Sequence, residues 1–596
     1  MMKTDLASRA ASLTEVLREH ARTQGSRPAL TFSSDAFDAT ADVSLTYAEL
    51  DARAARIAAL LGQRFALGDR ILLLHAAGLE FAQSFLGCLY AGMIAVPSPL
   101  PDGYKRQQDR LAGIAHDSGA VAVLTDTAHL PAVTEWARDA GLDGLAVIDV
   151  TTATLPAESE FSESVTTRDT IAFLQYTSGS TSSPKGVCVD HGNLLANVQV
   201  FAEVTGIGPD TVFGGWLPTY HDFGLIGQLI VPLTLGLRSV LMAPMEFLKR
   251  PHSWLHLIDR AGINVSPAPN FGYDLCVRRI TEKQCEGLDL SRWTHALNGS
   301  EPINARTVTE FATTFAAYGL PRESVLPGYG MAEATLAVSC SDPNGGPFIQ
   351  AVNADRFEHH ALEPADEPGA RAVVSSGRVS DRLDLRIVNP HTRQALRPGQ
   401  IGEIWLRGSS IARGYWQDEE MTAKTFGART AEGEGGFLRT GDLGAYLGGE
   451  LFVTGRIKEL LIVHGRNLYP QDLEAEARAA HPALSRGVSA VFTVEVPQEE
   501  IVAICECRAA GLDETQVAEV QKAITHAIRR GFGVGDCSVV LVRPGSVPRT
   551  TSGKIQRRLA RELFLSGAFA GGHAALIPSV QRAVDSATAV AVHDES

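Results

Sequence analysis

ILLLHAAGLEFAQSFLGCLYAGMIAV, residues 71–96, is the stretch on which the fold turns. Ile71-Leu72-Leu73-Leu74 is a short apolar run that suits a buried strand, and Phe81 to Tyr90 reads as helical up to a glycine at Gly92. Met93 to Val96 reads as a second strand. Strand, helix, strand is the unit of a parallel sheet, because parallel neighbours need a crossover connection. Upstream, Thr46 and Glu49 form a capping-box pattern ahead of Leu50, Ala54, Ile57 and Leu61, which recur at helical spacing. Downstream the alternation returns, with strands predicted at Ala120 to Leu124, Ile171 to Tyr176, Val212 to Trp216 and Ser239 to Met242. The first 340 or so residues therefore read as layered α/β.

The texture changes after Cys340. Prolines, glycines and acids with little periodicity run from Pro343 to Arg371, which predicts a long surface excursion. Asp384 to Val388 and Ile401 to Arg407 read as strands of a β-rich subdomain that continues to Val453. From Leu460 to about Leu565 a compact α+β unit is expected, with a helix from Gln471 to Ala480 that has Pro470 at its first turn and Asp472, Glu474 and Glu476 near its positive end. Gly567 to Ser596 is alanine-rich and expected to fray. No internal repeat is present. The expected division is a large N-terminal domain over 1–455, a connector over 456–460, a small α+β domain over 461–566 and a flexible tail over 567–596.

Composition narrows the function classes. At 596 residues the chain is too long for one ordinary core, and its 45% apolar and 20% charged residues are the balance of a globular protein. A formal charge of -15, from 68 acidic against 53 basic side chains, repels a phosphate backbone, so nucleic acid is not expected as a partner. Leu13, Val16, Leu17 and Ala21 fall at helical spacing, so the start reads as an amphipathic helix rather than a signal peptide. The most apolar stretch, Leu225 to Leu237, is too short to cross a hydrocarbon layer of roughly 30 Å. No membrane span and a cytoplasmic location are expected. Eight scattered cysteines, with Cys505 and Cys507 as the closest pair, give neither a disulfide framework nor a zinc ligand set.

The sharpest local signal is Thr177-Ser178-Gly179-Ser180-Thr181-Ser182-Ser183-Pro184-Lys185-Gly186, directly after the predicted strand Ile171 to Tyr176. Six hydroxyls, two glycines and a lysine offer many donors to phosphate oxygens, since glycine lets the backbone turn its N–H groups inward. It lacks the Gly-Lys-Ser/Thr triplet of a Walker loop. Composition alone also allows a serine-rich connector.

YTSGSTSSPKG resembles the phosphate-loop signature of the adenylate-forming superfamily, which includes acyl-CoA synthetases, firefly-type luciferases and the adenylation domains of peptide synthetases. Further segments follow in that superfamily's order. Trp216 to Gly227 (WLPTYHDFGLIG) resembles the histidine segment beside the acyl pocket. Asn298-Gly299-Ser300-Glu301-Pro302 and Gly328-Tyr329-Gly330-Met331-Ala332-Glu333 resemble the two adenine-side segments. Arg439-Thr440-Gly441-Asp442, Gly455-Arg456-Ile457-Lys458 and Thr551-Ser552-Gly553-Lys554 resemble the ribose, hinge and catalytic-lysine segments.

The resemblance implies ATP and Mg²⁺ as cofactors and assigns roles. Thr177, Ser178, Gly179, Thr181 and Lys185 would hold phosphates, and Glu333 would hold the metal, a hard cation suited to oxygen ligands. Tyr329 would lie against adenine, with Gly299, Ser300, Glu301, Gly330 and Met331 completing the base and ribose pocket. Asp442 would accept from the ribose hydroxyls, and Arg456 would reach ribose and phosphates. Lys458 would be the pivot of a small mobile C-terminal domain, and Lys554 the catalytic cation that enters the closed site. His221 would gate the acyl pocket or touch the reacting carboxylate. Ala332 stands where many members have threonine, and is left out of the site. Each residue has an ordinary alternative on its own: a helix-start glutamate, a core tyrosine, a turn aspartate, surface ion pairs, a structural histidine.

Three stretches resemble the fatty-acyl-AMP ligase branch, which passes fatty acids to carrier proteins instead of coenzyme A: Tyr220 to Gly227, Ala268 to Cys276, and Gly465 to Asp472. Asn270 and Phe271 would line the acyl tunnel. The 343–371 segment lies where that branch carries an insertion. The implied partners are a fatty acid and the phosphopantetheine thiol of a separate carrier protein, since no carrier motif follows Leu565. An acyl-CoA synthetase sharing the first half-reaction is the alternative, and a nucleotide-binding protein without turnover a more distant one.

Overall fold

The computed structural model describes residues 2–101, 105–177, 184–463, 466–496, 499–508, 513–550 and 553–594. The stretch that opened the reading folds as strand Arg70–Leu73, helix Leu79–Tyr90 and strand Ile94–Pro97. The two strands run parallel with Ile71 opposite Ala95. Ten of the twelve helix residues are buried, and a helix apolar on all sides belongs in an interior. Gly87 allows the neighbouring helix Tyr47–Gly62 to approach, because an added Cβ would lie 2.5 Å from Ile57. That neighbour starts with the expected capping box: Glu49 N donates to Thr46 Oγ1 at 3.2 Å, and Thr46 N donates to Glu49 Oε2 at 2.8 Å.

Two large sheets make the α/β body. The first has six strands in the order Ala146–Asp149, Ala122–Thr125, Arg70–Leu73, Ile94–Pro97, Ile171–Tyr176, Gly186–Asp190, parallel except for the last. The second has nine, and at its centre Val212–Gly215 lies between Arg238–Met242 and Val265–Pro269, all parallel. From Val212–Gly215 the chain passes to Arg238–Met242 on one side, and from Val265–Pro269 to His295–Gly299 on the other. Such a divergence opens a crevice at the carboxyl ends of the strands. The residues that emerge there are Trp216 onward and Asn270-Phe271.

The apolar run Leu225 to Leu237 sits inside this body. It is helical from Leu225 to Thr234, with a π-helical turn at Leu225–Ile230, and every residue of the run is buried. Among the described residues no helix is long and apolar enough to cross a membrane. All eight cysteines are free and buried. The N-terminal helix is broken in two, Met2–Arg9 and Leu13–Gln24, because Ser12 caps the second by accepting from Glu15 N.

The β-rich subdomain is a four-stranded antiparallel sheet ordered Asp384–Val388, Gly402–Arg407, Leu438–Leu447, Glu450–Arg456. A short turn, Ile457–Glu459, leads to the small domain, whose sheet is ordered Ser489–Glu495, Glu499–Glu506, Ser538–Val542, His573–Ala575. The tail is not frayed over its first part: His573–Ala575 adds an antiparallel edge strand against Ser538–Val542, helix Pro578–Asp594 follows, and Val580 is fully buried.

The segment 343–371 also departs from expectation. Instead of an excursion it forms the hairpin Ile349–Val352 with Arg371–Val374 and the helix Ala354–Glu358, with Val352, Phe357 and Leu362 buried. It packs on the small domain. Glu358 makes a bidentate ion pair with Arg466 (2.5 and 2.8 Å), Arg371 pairs with Asp472, and the rings of Phe357 and Tyr469 lie 5.1 Å apart with the Arg371 guanidinium over both. The stabilising contacts are with residues about a hundred positions away, so no local periodicity signals them.

Candidate active site

The carboxyl ends of strands from both large sheets, the β-rich subdomain and the small domain meet around one cleft of about 1820 Å³. Strand Ile171–Tyr176 is buried almost throughout and delivers Thr177 to its edge. Ser178, Gly179 and Thr181 fall outside the described residues. Lys185, where the loop returns, has its Nζ 5.3 Å from the centre of the Tyr415 ring, and Tyr415 Oη donates to Glu333 Oε1 at 3.0 Å.

Tyr329 and Gly330 close strand Val325–Gly330, and Glu333 follows in a 3₁₀ turn, Ala332–Ala334. Thr335 ends that turn with φ +68°, held by its hydroxyl donating to Ser410 O at 2.7 Å. Such a conformation in a threonine is strained, and the tertiary bond fixes it so that Glu333 faces the cleft. Burial pushes the Glu333 carboxyl upward, while Tyr415 and Arg456 act against that. Ser300 has φ +69° at the end of the adjoining strand.

Asp442 is 4% exposed and stands opposite Arg456 in the register of two paired strands. Its Oδ1 meets Arg456 Nε at 2.9 Å, and its Oδ2 accepts from Tyr329 Oη at 2.7 Å. The carboxylate raises the Arg456 guanidinium, so the cation is fixed. Arg439, three residues earlier on the same strand, is held by Glu403 at 2.8 Å.

Lys554 comes from the small domain. Thr550 N donates to Lys554 O at 2.8 Å and Lys554 N to Thr550 Oγ1 at 3.1 Å. Gly553 has φ +86° and presses on Phe271, where an added Cβ would lie 2.8 Å from the ring. Only glycine meets both demands. Burial lowers the basicity of the Lys554 amine, with Asp222, Glu301 and Asp442 favouring its cation and Arg456 opposing it. Phe271 N, at the start of helix Asn270–Arg279, donates to Glu301 Oε1 at 2.6 Å. Glu301 therefore braces the start of helix Asn270–Arg279 within the field of Lys554. Asn270 Oδ1 accepts from Asn304 N at 3.2 Å. Burial, then Lys554 and Arg110, press the His221 imidazole down to about 3, so it is neutral.

The cleft is lined by Thr177, Lys185, His221, Asn270, Phe271, Ser300, Glu301, Tyr329, Gly330, Met331, Glu333, Asp442, Arg456, Lys458 and Lys554. Gly299 lines instead an adjoining apolar cavity of about 50 Å³ with Phe201, Val204, Phe223, Leu297, Leu326 and Leu336. The sequence did not single out Asp222, Tyr415 or the Glu403–Arg439 pair. Asp222 and Arg439 lie within the histidine and ribose segments, but Tyr415 reaches Glu333 from 82 residues away, and nothing local marks it.

A magnesium-type cation takes oxygen ligands and keeps waters while bridging phosphates. Glu333 offers one carboxylate for that purpose, and among the described residues no group of three or more His, Cys, Asp or Glu could cage a metal. This donor set fits an ion carried chiefly by phosphate oxygens.

A family profile described as AMP-binding enzyme matches residues 17–416, and one described as Disco-interacting protein 2-like, AMP domain, matches residues 458–571. The chain is 40% identical to the medium-chain-fatty-acid acyl-carrier-protein ligase JamA of Moorena producens (strain JHB), over 88% of this chain and 90% of that protein. It is 38% identical to the long-chain-fatty-acid AMP ligase FadD26 of Mycobacterium bovis, over 94% and 98%. The solved fatty acyl-adenylate ligase of L. pneumophila, in complex with acyl adenylate and pyrophosphate, is 35% identical with a TM-score of 0.74, over 94% of this chain and 97% of that one.

Proposed function

The chain belongs to the AMP-binding enzyme family, and within it to the fatty acyl-AMP ligases, and from that premise we propose that it joins a fatty acid to AMP and passes the acyl group to the phosphopantetheine thiol of a separate carrier protein. One observation carries the reading. Lys554 of the small domain converges with Asp442, Arg456, Tyr329 and Glu333 of the large domain on one cleft whose far side is the apolar switch-point crevice.

The chemistry joins two anions, so charge and alignment dominate the barrier. Asp442 is oriented by Arg456 and Tyr329 to accept from ribose hydroxyls. Lys554 supplies a partly desolvated cation where charge develops on the α-phosphoryl group. His221, neutral and next to Lys554, contacts the acid without competing for its charge. Mg²⁺, held at Glu333, would neutralise phosphate charge when bound. The acyl chain occupies the crevice bounded by Phe271 and continues toward the apolar cavity at Leu297 and Leu326.

Delivery to a carrier rather than coenzyme A is supported by the clamp between the 343–371 segment and the small domain. Two ion pairs and an aromatic contact resist the pivot at Lys458 that a second half-reaction on free coenzyme A would use. Free, buried cysteines support a reducing, cytoplasmic setting.

Incubation with ATP and a panel of fatty acids of graded length, followed by chromatography, tests the reading. Acyl-AMP should persist when coenzyme A is added and disappear when a phosphopantetheine-loaded carrier is added. Abundant acyl-CoA would transfer the function to the coenzyme A ligase reading, and no acid-dependent pyrophosphate release across the panel would remove the adenylation reading.

A further inference from the structure

Helix Lys105–Ser118 touches the chain at Thr177 and at Pro184. Arg110 Nη2 donates to Thr177 O at 2.6 Å, where the strand Ile171–Tyr176 ends. Gly113 faces Pro184, where an added Cβ would be 3.2 Å from the ring. Four residues before Arg110, and so on the same side of the helix, Arg106 lines the cleft.

Among the described residues no acidic side chain is paired with Arg106 or Arg110. After burial, the like charge of Arg106 acts most on Arg110, and Arg110 in turn disfavours the charged form of His221. Ion pairing elsewhere in this chain is dense: Arg456, Arg439, Arg466 and Arg557 each have a carboxylate partner. A half-buried guanidinium one turn from a second that lines the cleft, with the Thr177 carbonyl as its hydrogen-bond partner among the described residues, keeps further donors for another acceptor. Such a pair is destabilising unless an anion joins it, and guanidinium forks match phosphate oxygens.

We propose that Arg106 and Arg110 form the subsite for the β- and γ-phosphates of ATP and for the pyrophosphate that leaves. The identity of the anion rests on the adenylation reading. In that reaction a carboxylate oxygen attacks the α-phosphorus, a new O–P bond forms, and the bond from the α-phosphorus to its bridging oxygen breaks. The electron pair stays on that oxygen of pyrophosphate, and no proton has to move. Negative charge therefore grows on the leaving group, and the two guanidiniums hold it in line, opposite the attacking acid. Lys554 serves the central phosphorus and these arginines serve the far end.

Isothermal titration with AMP, ATP and inorganic pyrophosphate, on wild type, Arg110→Gln and Arg106→Gln, separates this role from bracing of the loop. Loss of one charge-assisted bond should weaken pyrophosphate and ATP about ten- to a hundredfold for Arg110→Gln, with AMP within about twofold. Arg106→Gln, an exposed position that spares folding, should give the same pattern at roughly three- to tenfold. AMP and ATP weakening in parallel, or pyrophosphate and ATP unchanged in either variant, would overturn the subsite. No acid enters the titrations. A wild type that binds pyrophosphate through these arginines yet forms no acyl-AMP from any acid would sink the adenylation reading alone.

Discussion

Replacing Lys554 by alanine removes a cation that the small domain brings into the cleft within the field of Asp222, Glu301 and Asp442. Two unit charges about 4 Å apart at an effective dielectric near 20 interact by about 4 kcal/mol, which bounds what the amine can give the α-phosphoryl group. Part of that is already spent on the three resident acids, so a net loss of about 3 kcal/mol in the transition state is expected, or roughly 10²-fold in rate. AMP affinity should move by less than about threefold, because the proposed nucleoside ligands Asp442, Arg456 and Tyr329 hold one another without the loop. Single-turnover pyrophosphate release gives the first quantity and equilibrium titration with AMP the second. The same residue sets a pH dependence. Burial favours the neutral amine, so in the free enzyme the cation is lost below the ordinary lysine range and kcat/KM should decline on the alkaline side earlier than pH 10.5. A variant turning over within threefold of wild type, or one losing AMP binding in step with rate, would refute the assignment.

Asp442→Asn leaves Arg456 without its carboxylate and should weaken ATP and AMP together, by about ten- to a hundredfold, which AMP titration reads directly. Glu358→Ala breaks the bidentate pair with Arg466 at a site that is mostly buried on the Glu358 side. About 1–3 kcal/mol of clamp stability should go, seen as faster hydrogen exchange confined to 461–470 and the 349–374 hairpin; unchanged exchange would mean the clamp is not restraining the small domain. Acid should destabilise the whole fold through buried histidines. His75 and His191 charge near pH 6.5 when unfolded but only at about 4 when folded. Between those values the unfolded chain holds the extra proton, so stability falls as pH drops, by up to about 3 kcal/mol per histidine. Denaturant melts across pH 7 to 4 measure the slope, and a His75→Phe variant should flatten it.

Much of this was legible in local sequence. Buried strands announce themselves as short apolar runs, and the capping box at Thr46 and Glu49 was found atom for atom. The candidate residues were also legible, but only as an ordered series of motifs; none of Tyr329, Asp442 or Glu333 is distinctive alone. Reading failed at 343–371, where a chain that looks aperiodic is ordered by Arg466, Tyr469 and Asp472. It failed again at the tail, whose strand His573–Ala575 is specified by the free edge of Ser538–Val542.

The sequence by itself determined most of the strands and helices of the first 340 residues and marked the motifs that hold the candidate side chains, because capping, periodicity and motif spacing act within a few residues. Tertiary structure alone decided which of those side chains meet. Asp442 finds Tyr329 from 113 residues away, Tyr415 finds Glu333 from 82, and Gly553 finds the ring of Phe271. The physical reason is that hydrogen bonds and charges act over a few ångströms in space, and only the folding of both large sheets, the β-rich subdomain and the small domain around one cleft brings distant segments within that range.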